Sequence, residues 1–179
     1  MSPAELDLLR YPIGKASSDP HLDPQRRAAC IRTLAAFPDM MREAVAGLHE
    51  AQLDTPYRPE GWTLRQVVHH TADSHLNAYI RFRLALTEEH PPIKLYAEER
   101  WAELPDARAL DLEPTLMLLT GLHRRWTVLL HGMPEADFAR TLMHPERGAL
   151  TLDQMLQLYD WHSRHHLAHI TGLRSRMNW

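Results

Sequence analysis

Apolar residues recur at helical spacing in four stretches of the chain, and each stretch begins with a helix-start signal. The first begins at Asp23-Pro24, an N-cap followed by proline at the first helical position. The second and fourth begin with a threonine three residues before a glutamine, which is the capping-box spacing. The third is preceded by Asp111 as its cap, and the predicted helices cover residues 24–49, 64–88, 112–132 and 152–177. With no convincing strand pattern beside them, they predict an all-α four-helix bundle.

The connections between these helices differ in length and composition. Residues 89–110 form a long crossover between the second and third helices, with one or two amphipathic turns near residues 97–104. Residues 133–150 predict a loop with a short hairpin around Arg147-Gly148. Residues 1–22 are rich in turn-forming residues and have no sustained period, so we expect an N-terminal arm. The whole chain, residues 1–179, is predicted to be one domain.

Composition and charge exclude several classes of protein. Twenty Lys and Arg residues against 23 Asp and Glu give a net charge of −3, so no basic excess indicates a nucleic-acid partner. A single cysteine, Cys30, excludes an intrachain disulfide framework and a multi-cysteine zinc site. No stretch approaches the roughly 18–20 apolar residues that span a bilayer, and the polar N-terminus lacks the apolar region of a signal peptide. We therefore expect a cytoplasmic protein that does not insert into a membrane.

Histidine is unusually frequent: seven of the 13 fall in two short windows, as His69, His70, His75, His162, His165, His166 and His169. On the fourth helix His162 and His166 are four residues apart and project into the apolar stripe. His165 and His169 fall at the polar edge of that stripe. Two imidazoles stacked inside a bundle can bind one divalent metal ion. The alternative is a pair of core histidines that find other hydrogen-bond partners.

A third ligand must come from another helix, and the second helix offers the only dense group of candidates. His75 lies at the centre of its apolar face, whereas His70 shares a more polar strip with Ser74 and Asn77. A polar strip suits the wall of a ligand-accessible cavity, but it suits a solvated edge equally well. Spacing alone therefore leaves the third ligand open.

Several segments together resemble one known family. They are LDTPYRPEGWTLRQVVHHTADSH (53–75), RWAEL (100–104), LHRRWTVLL (122–130), WHSRHHLAHI (161–170) and the opening Tyr11-Pro12-Ile13-Gly14. In the same order, over nearly the whole chain, they are similar to the YfiT-type metal-dependent hydrolases of the DinB superfamily. The resemblance implies a homodimeric four-helix bundle in which three histidines bind one divalent ion, zinc first and nickel second. By motif these ligands are His70, His162 and His166, whereas Arg164 stands where relatives often carry another histidine.

Three neutral histidines leave an ion with an open position, which is the pattern of catalytic zinc sites. We therefore interpret the chain as a hydrolase that uses metal-activated water on a small-molecule substrate. Asp73 and Asn77 are expected to line the substrate pocket. Asp73 and the acidic residues of the 89–111 connection are the candidates for a general acid or base, and none of them is assigned. The superfamily also implies an alternative, an S-transferase that activates a low-molecular-weight thiol such as bacillithiol. A second alternative, a non-catalytic dimeric metal-binding module, is less favoured because structural zinc sites normally have four protein ligands.

Overall fold

The computed structural model describes residues 2–109 and 111–179. Met1 and Leu110, which belong to the predicted arm and crossover, lie outside the described residues. In the described ranges the helices are α1 (Pro3–Arg10), α2 (Pro24–Val45), α3 (Glu50–Leu53), α4 (Leu64–Thr87), α5 (Glu98–Trp101), α6 (Pro105–Ala109), α7 (Glu113–Gly132) and α8 (Leu152–Met177). A short 3₁₀-helix spans Glu135–Ala139, and β1 (Thr141–His144) pairs antiparallel with β2 (Gly148–Thr151). None of the described helices is long and apolar enough to cross a membrane.

The four long helices α2, α4, α7 and α8 correspond to the four predicted from the sequence and form the bundle. Thr63 and Gln66 form a capping box at the start of α4, and Thr151 and Gln154 form another at the start of α8. Each box satisfies backbone N–H groups that the first turn of a helix would otherwise leave without partners. The predicted fold class is therefore confirmed, and the two helices that carry the histidine windows begin where the sequence indicates.

Two predicted helix boundaries shift. α2 ends at Val45 rather than near residue 49, because Gly47 takes a left-handed conformation with φ of 75° that an α-helix cannot include. α7 begins at Glu113, with Leu112 in the cap position predicted for Asp111, although the Asp111 side chain still accepts a hydrogen bond of 3.0 Å from the Glu113 backbone N–H. Neither shift moves a candidate metal ligand, since these lie on α4 and α8.

The bundle encloses two apolar clusters. α7 and α8 each pack against both α2 and α4, which places α2 and α4 diagonally across the core. One cluster contains Phe82 and Trp126, and the other contains Phe37 and Val67. His75 lies where they meet, with its ring centroid 5.1 Å from that of Phe37 and 6.1 Å from that of Trp126. The buried histidines thus occupy the middle of the bundle, between two apolar clusters.

The predicted crossover leads from α4 to α7 and is held against neighbouring elements at both ends. α6 packs on α4, and Gln66 Nε2 donates a hydrogen bond of 2.7 Å to the Ala102 carbonyl oxygen. Near the start of the crossover the Ile93 backbone N–H donates to the Met143 carbonyl oxygen of β1 at 3.0 Å. The β1–β2 hairpin confirms the one predicted around Arg147-Gly148. These contacts hold the crossover beside the half of α4 that carries the histidines.

The N-terminal segment is more regular than the predicted arm, because it contains α1. This helix has eight residues and buries none of them, and its sequence signal was the Ser2–Glu5 capping-box spacing with Pro3 at the first helical position, which sequence reasoning missed. The segment after α1 is fastened to α8. Trp161 Nε1 donates to the Gly14 carbonyl oxygen at 3.0 Å, and the Asp19 backbone N–H donates to the Gln157 side chain at 2.7 Å. The arm therefore covers one side of α8.

A buried ion pair joins the beginnings of α2 and α8. Arg27 donates from Nε and Nη2 to the two carboxylate oxygens of Asp153, each at 2.8 Å. The same carboxylate accepts a hydrogen bond of 3.1 Å from the Leu22 backbone N–H. With its oxygens paired in this way, Asp153 ties the first turn of α8 to the first turn of α2 and to Leu22, which lies just before α2.

Candidate metal centre

One histidine of α4 and two of α8 converge inside the bundle. His70, His162 and His166 each offer a ring nitrogen that lies within 4.8 Å of the other two. The Nε2 atoms of His70 and His162 are 3.2 Å apart. Two ligands of a tetrahedral ion, each about 2.0–2.1 Å from the metal, lie about 3.3 Å from each other. The spacing of these donors therefore fits a divalent metal ion.

Local structure explains why the three rings meet. His162 and His166 are one helical turn apart on α8, and their ring centroids are 4.4 Å apart. His70 reaches them from α4, with its ring centroid 4.9 Å from that of His166. Trp62, which precedes α4, packs on the other side of His70 at 4.5 Å between centroids. Dense packing of this kind restricts the rotation of each ring and keeps the nitrogens close together.

Burial keeps these imidazoles neutral at neutral pH. Removal from water lowers the pKa of His70 to about 4. It also lowers the pKa values of His162 and His166 well below the ordinary value, and charges on neighbouring histidines act in the same direction. A metal binds the deprotonated imidazole, so protons compete little for these ligands.

A second group of nitrogens shares one member with the first. His165, His166 and His169 also offer ring nitrogens within 4.8 Å of one another. The prediction that His165 and His169 lie at a polar edge was wrong, since both are buried. Trp161 stacks on His165 at 4.2 Å, and Tyr57 stacks on His169 at 3.9 Å between centroids. Helical periodicity could not show this, because the covering residues include parts of the chain far from α8 in sequence.

Two other residues of the histidine windows point away from the cluster. His69 bonds through Nδ1 to Thr115 Oγ1 of α7 at 2.7 Å. Arg164, where the resemblance leads us to expect a histidine in many relatives, is exposed and pairs with Asp160 one turn earlier on α8, at 2.5 Å. The arginine at this position therefore lies outside the three convergent rings.

Two cavities flank the three histidines. One of about 650 Å³ is lined by residues that include His162, Ser74, Tyr96, Glu98, Glu99 and Tyr159. The other, of about 720 Å³, is lined by residues that include His166, His165, His169, Trp62, Glu98 and Glu99. Open space therefore reaches two of the three rings, as access for a small substrate requires.

The two predicted pocket residues, Asp73 and Asn77, line neither of these cavities. The amide of Asn77 donates to the Asp73 backbone carbonyl oxygen at 2.9 Å, one turn earlier on α4. Burial raises the pKa of the Asp73 carboxyl to about 6, with a smaller contribution from Asp106. Their part in substrate binding stays a prediction.

Sequence reasoning did not single out Tyr96 or Glu98 of the crossover. The hydroxyl of Tyr96 is buried and has no hydrogen-bond partner of ordinary geometry within residues 2–109 and 111–179. Burial raises the pKa of the Tyr96 phenol, and partial removal from water together with Glu99 raises that of the Glu98 carboxyl, although Glu98 as a residue is exposed. The length of the crossover was the available signal, since long connections are often functional.

Known proteins are similar to this chain over almost its full length. The sequence profile of the DinB superfamily matches residues 33–170 of this chain. A Bacillus cereus (strain 03BB102) protein named "Putative metal-dependent hydrolase" is 48% identical over 171 residues, which cover 96% of this chain and 98% of the relative. A Bacillus thuringiensis subsp. konkukian (strain 97-27) protein with the same description has the same identity and coverage.

Two solved structures share the fold. YfiT from Bacillus subtilis, described as a probable metal-dependent hydrolase with an unusual four-helix bundle topology, superposes with a TM-score of 0.94. It is 47% identical, and the match covers 96% of this chain and 99% of YfiT. TT2238, a four-helix bundle protein, is 20% identical and superposes with a TM-score of 0.57. The match covers 82% of this chain and 98% of TT2238, and it supports the fold alone. The chain belongs to the DinB superfamily.

Proposed function

We propose that this chain is a metal-dependent hydrolase whose single divalent ion is held by His70, His162 and His166. The observation that carries the proposal is the convergence of three neutral ring nitrogens within 4.8 Å of one another. The description of YfiT as a probable metal-dependent hydrolase supports it. Zinc is the first expectation for the ion and nickel the second, since both accept imidazole ligands.

The number of protein ligands favours a catalytic site over a structural one. Structural zinc sites are normally closed by four protein ligands, whereas catalytic sites keep a position for water or substrate. Within the described residues the convergent group holds three side chains, and Cys30 lines a different cavity. When bound, the ion supplies a Lewis acid that activates water near neutral pH. The non-catalytic alternative would need a fourth protein ligand.

The crossover supplies two groups to the cavity that contains His162. Partial removal from water and the neighbouring Glu99 raise the pKa of the Glu98 carboxyl, which lines the cavity on an otherwise exposed residue and is suited to accept a proton. The Tyr96 phenol stays protonated at neutral pH, and its buried hydroxyl lies near Ser74 without a hydrogen bond of ordinary geometry in the part of the chain that the structure describes. We assign proton transfer to Glu98, and to Tyr96 the donation of a hydrogen bond to the developing oxyanion of a substrate.

Replacing Tyr96 by phenylalanine should lower kcat of the metal-loaded protein by roughly tenfold to a hundredfold, with a smaller change in KM. The reason is that removing one donor to a developing oxyanion weakens the transition state more than the bound substrate. Steady-state kinetics measure both constants. Tyr79→Phe is the matched control, because the Tyr79 hydroxyl accepts a hydrogen bond of 3.1 Å from Arg83 Nη1 and lines neither cavity. Equal losses in the two variants would contradict the assignment.

Metal analysis combined with a panel of substrates tests the proposed function. Tag-free protein should contain about one equivalent of zinc or nickel, as purified or after reconstitution. It should hydrolyse small esters or amides, lose that activity on chelation and regain it with the same metal. A parallel assay offers bacillithiol and an electrophile. Absence of metal after reconstitution would overturn the proposal, and thiol transfer without hydrolysis would replace it with the S-transferase.

A further inference from the structure

A chain of hydrogen bonds leads from one candidate ligand to the backbone on the far side of the bundle. His162 Nδ1 lies 3.1 Å from His75 Nε2, and His75 Nδ1 lies 2.8 Å from His123 Nε2. His123 Nδ1 in turn lies 2.6 Å from the Leu34 carbonyl oxygen. These residues belong to α8, α4, α7 and α2, so the chain passes through all four helices of the bundle.

The backbone carbonyl sets the direction of every bond in this chain. Burial in an apolar core keeps the imidazoles neutral, and a neutral imidazole has one N–H and one lone pair. A carbonyl oxygen can only accept, so His123 Nδ1 carries the proton and His123 Nε2 accepts from His75 Nδ1. His75 Nε2 then accepts from His162 Nδ1. The Nε2 atom of His162, which faces His70, is left with a lone pair.

A second, shorter chain of hydrogen bonds leads from His166, the other candidate ligand on α8, to a backbone carbonyl oxygen. His169 Nε2 lies 3.2 Å from the Arg10 carbonyl oxygen, and His169 Nδ1 lies 3.4 Å from His166 Nδ1. Because the carbonyl accepts from His169 Nε2, His169 Nδ1 has a lone pair and accepts from His166 Nδ1. The Nε2 atom of His166 is therefore also unprotonated.

We propose that His75, His123 and His169 are positioning residues that hold His162 and His166 in the Nδ1–H tautomer and so present both Nε2 lone pairs to the metal. The inference rests on the proposed metal site and extends it to three histidines that bind no ion themselves. Partners that donate to or accept from metal-ligating histidines orient the rings and typically change metal affinity by 10–100-fold. Two backbone carbonyls, one on α2 and one on α1, thereby determine the tautomers of two ligands on α8.

The chains also account for buried polar groups that the apolar core would otherwise leave without partners. His75 is 0% exposed and His123 is 1% exposed. A buried donor or acceptor without a partner costs about 1–3 kcal/mol. In the chain, both nitrogens of each ring are bonded, so these two histidines are tolerated among Phe37 and Trp126. A phenylalanine would fit a similar space but would break the chain.

Long-range ¹H–¹⁵N NMR of ¹⁵N-histidine-labelled, metal-free protein measures the tautomers directly. We expect the Nδ1–H form for His75, His123, His162 and His166, and the Nε2–H form for His169, with signals assigned through single variants. An Nε2–H form at His162 or His166 overturns the proposal. This measurement needs no metal, so it decides the tautomer assignment separately from the proposed function.

The zinc affinity of variants tests whether the chain of hydrogen bonds that contains His123 strengthens metal binding by the candidate ligands. His123→Phe should weaken zinc binding by about 10–100-fold in competition with a chelating dye, and should change the visible spectrum of the cobalt-substituted protein. His123→Gln, whose amide can accept from His75, should restore most of the affinity. His69→Phe, which removes another buried histidine, one that bonds to Thr115 of α7, should leave the affinity within a few-fold. Unchanged affinity in a folded His123→Phe protein overturns the proposal, and the tautomer measurement decides if that variant does not fold.

Discussion

Replacing His162 by alanine should abolish stoichiometric metal binding, whereas replacing His165 should leave about one equivalent bound. The two groups of convergent nitrogens share His166, so a variant at that position cannot distinguish them. His162 belongs only to the group with His70, and His165 only to the group with His169. The first group contains residues of α4 and α8, and the Nε2 atoms of His70 and His162 lie 3.2 Å apart between these helices. Loss of one of three ligands leaves too few protein donors to retain an ion.

Elemental analysis after extensive dialysis measures the effect, together with metal-dependent hydrolysis. We expect His162→Ala and His70→Ala to lose both metal and activity to background levels. His131→Ala, which removes an exposed histidine near the end of α7, controls for nonspecific binding. Retention of metal by His162→Ala together with its loss from His165→Ala would move the site to the second group.

The metal-free protein should unfold steeply in mild acid, with a midpoint near pH 5. Burial lowers the pKa of His70, His123 and His165 to about 4 and that of His169 to about 3. Burial also lowers the pKa values of His75, His162 and His166. In the unfolded chain each of these residues returns to a pKa of about 6.5. Below that pH the unfolded state binds more protons than the folded state, so the free energy of unfolding falls as pH falls.

The size of the effect follows from the number of protons taken up on unfolding. Each extra proton contributes about 1.4 kcal/mol per pH unit, so even four such histidines give about 5 kcal/mol per pH unit. The whole stability of a domain is about 5–15 kcal/mol. Most of it should therefore disappear between about pH 6.5 and pH 4.5, before the ordinary carboxylates are protonated.

Circular dichroism along a pH titration, with urea unfolding at selected pH values, measures this slope. Zinc-loaded protein should persist to lower pH, because the ion binds the folded state with its neutral imidazoles. His131→Ala should follow the curve of the unaltered protein. Stability that stays constant to about pH 4.5 and declines only as carboxylates titrate would contradict the expected role of the buried histidines.

Helix positions and two of the three candidate ligands could be derived from the sequence because they depend on local patterns. Capping boxes and apolar periods are properties of neighbouring residues, and both appear at the start of α4 and α8. His162 and His166 could be paired because residues four apart share a helix face. This reasoning needs no knowledge of which residues of other helices pack against that face.

The third ligand could not be derived in the same way, and α4 shows why. Every residue from 64 to 72 on this helix is buried, including polar ones such as Thr71. A helix surrounded by protein has no solvated face, so the contrast between apolar and polar positions that locates an inward-facing residue is lost. The choice of His70 came from the resemblance of its motif to a family. Tyr96 and Glu98 lie on a crossover whose path depends on tertiary contacts.

The Arg10 carbonyl that holds His169 belongs to the last residue of α1, a helix that buries none of its residues. Elements with so little buried surface open locally at a small fraction of the free energy needed to unfold the whole protein. Each such opening would release His169 and leave His166 free to turn its ring. Amide hydrogen exchange in α1 and the dissociation rate of the ion would then report the same motion, and a fusion that disturbs α1 would shorten the residence time of the metal.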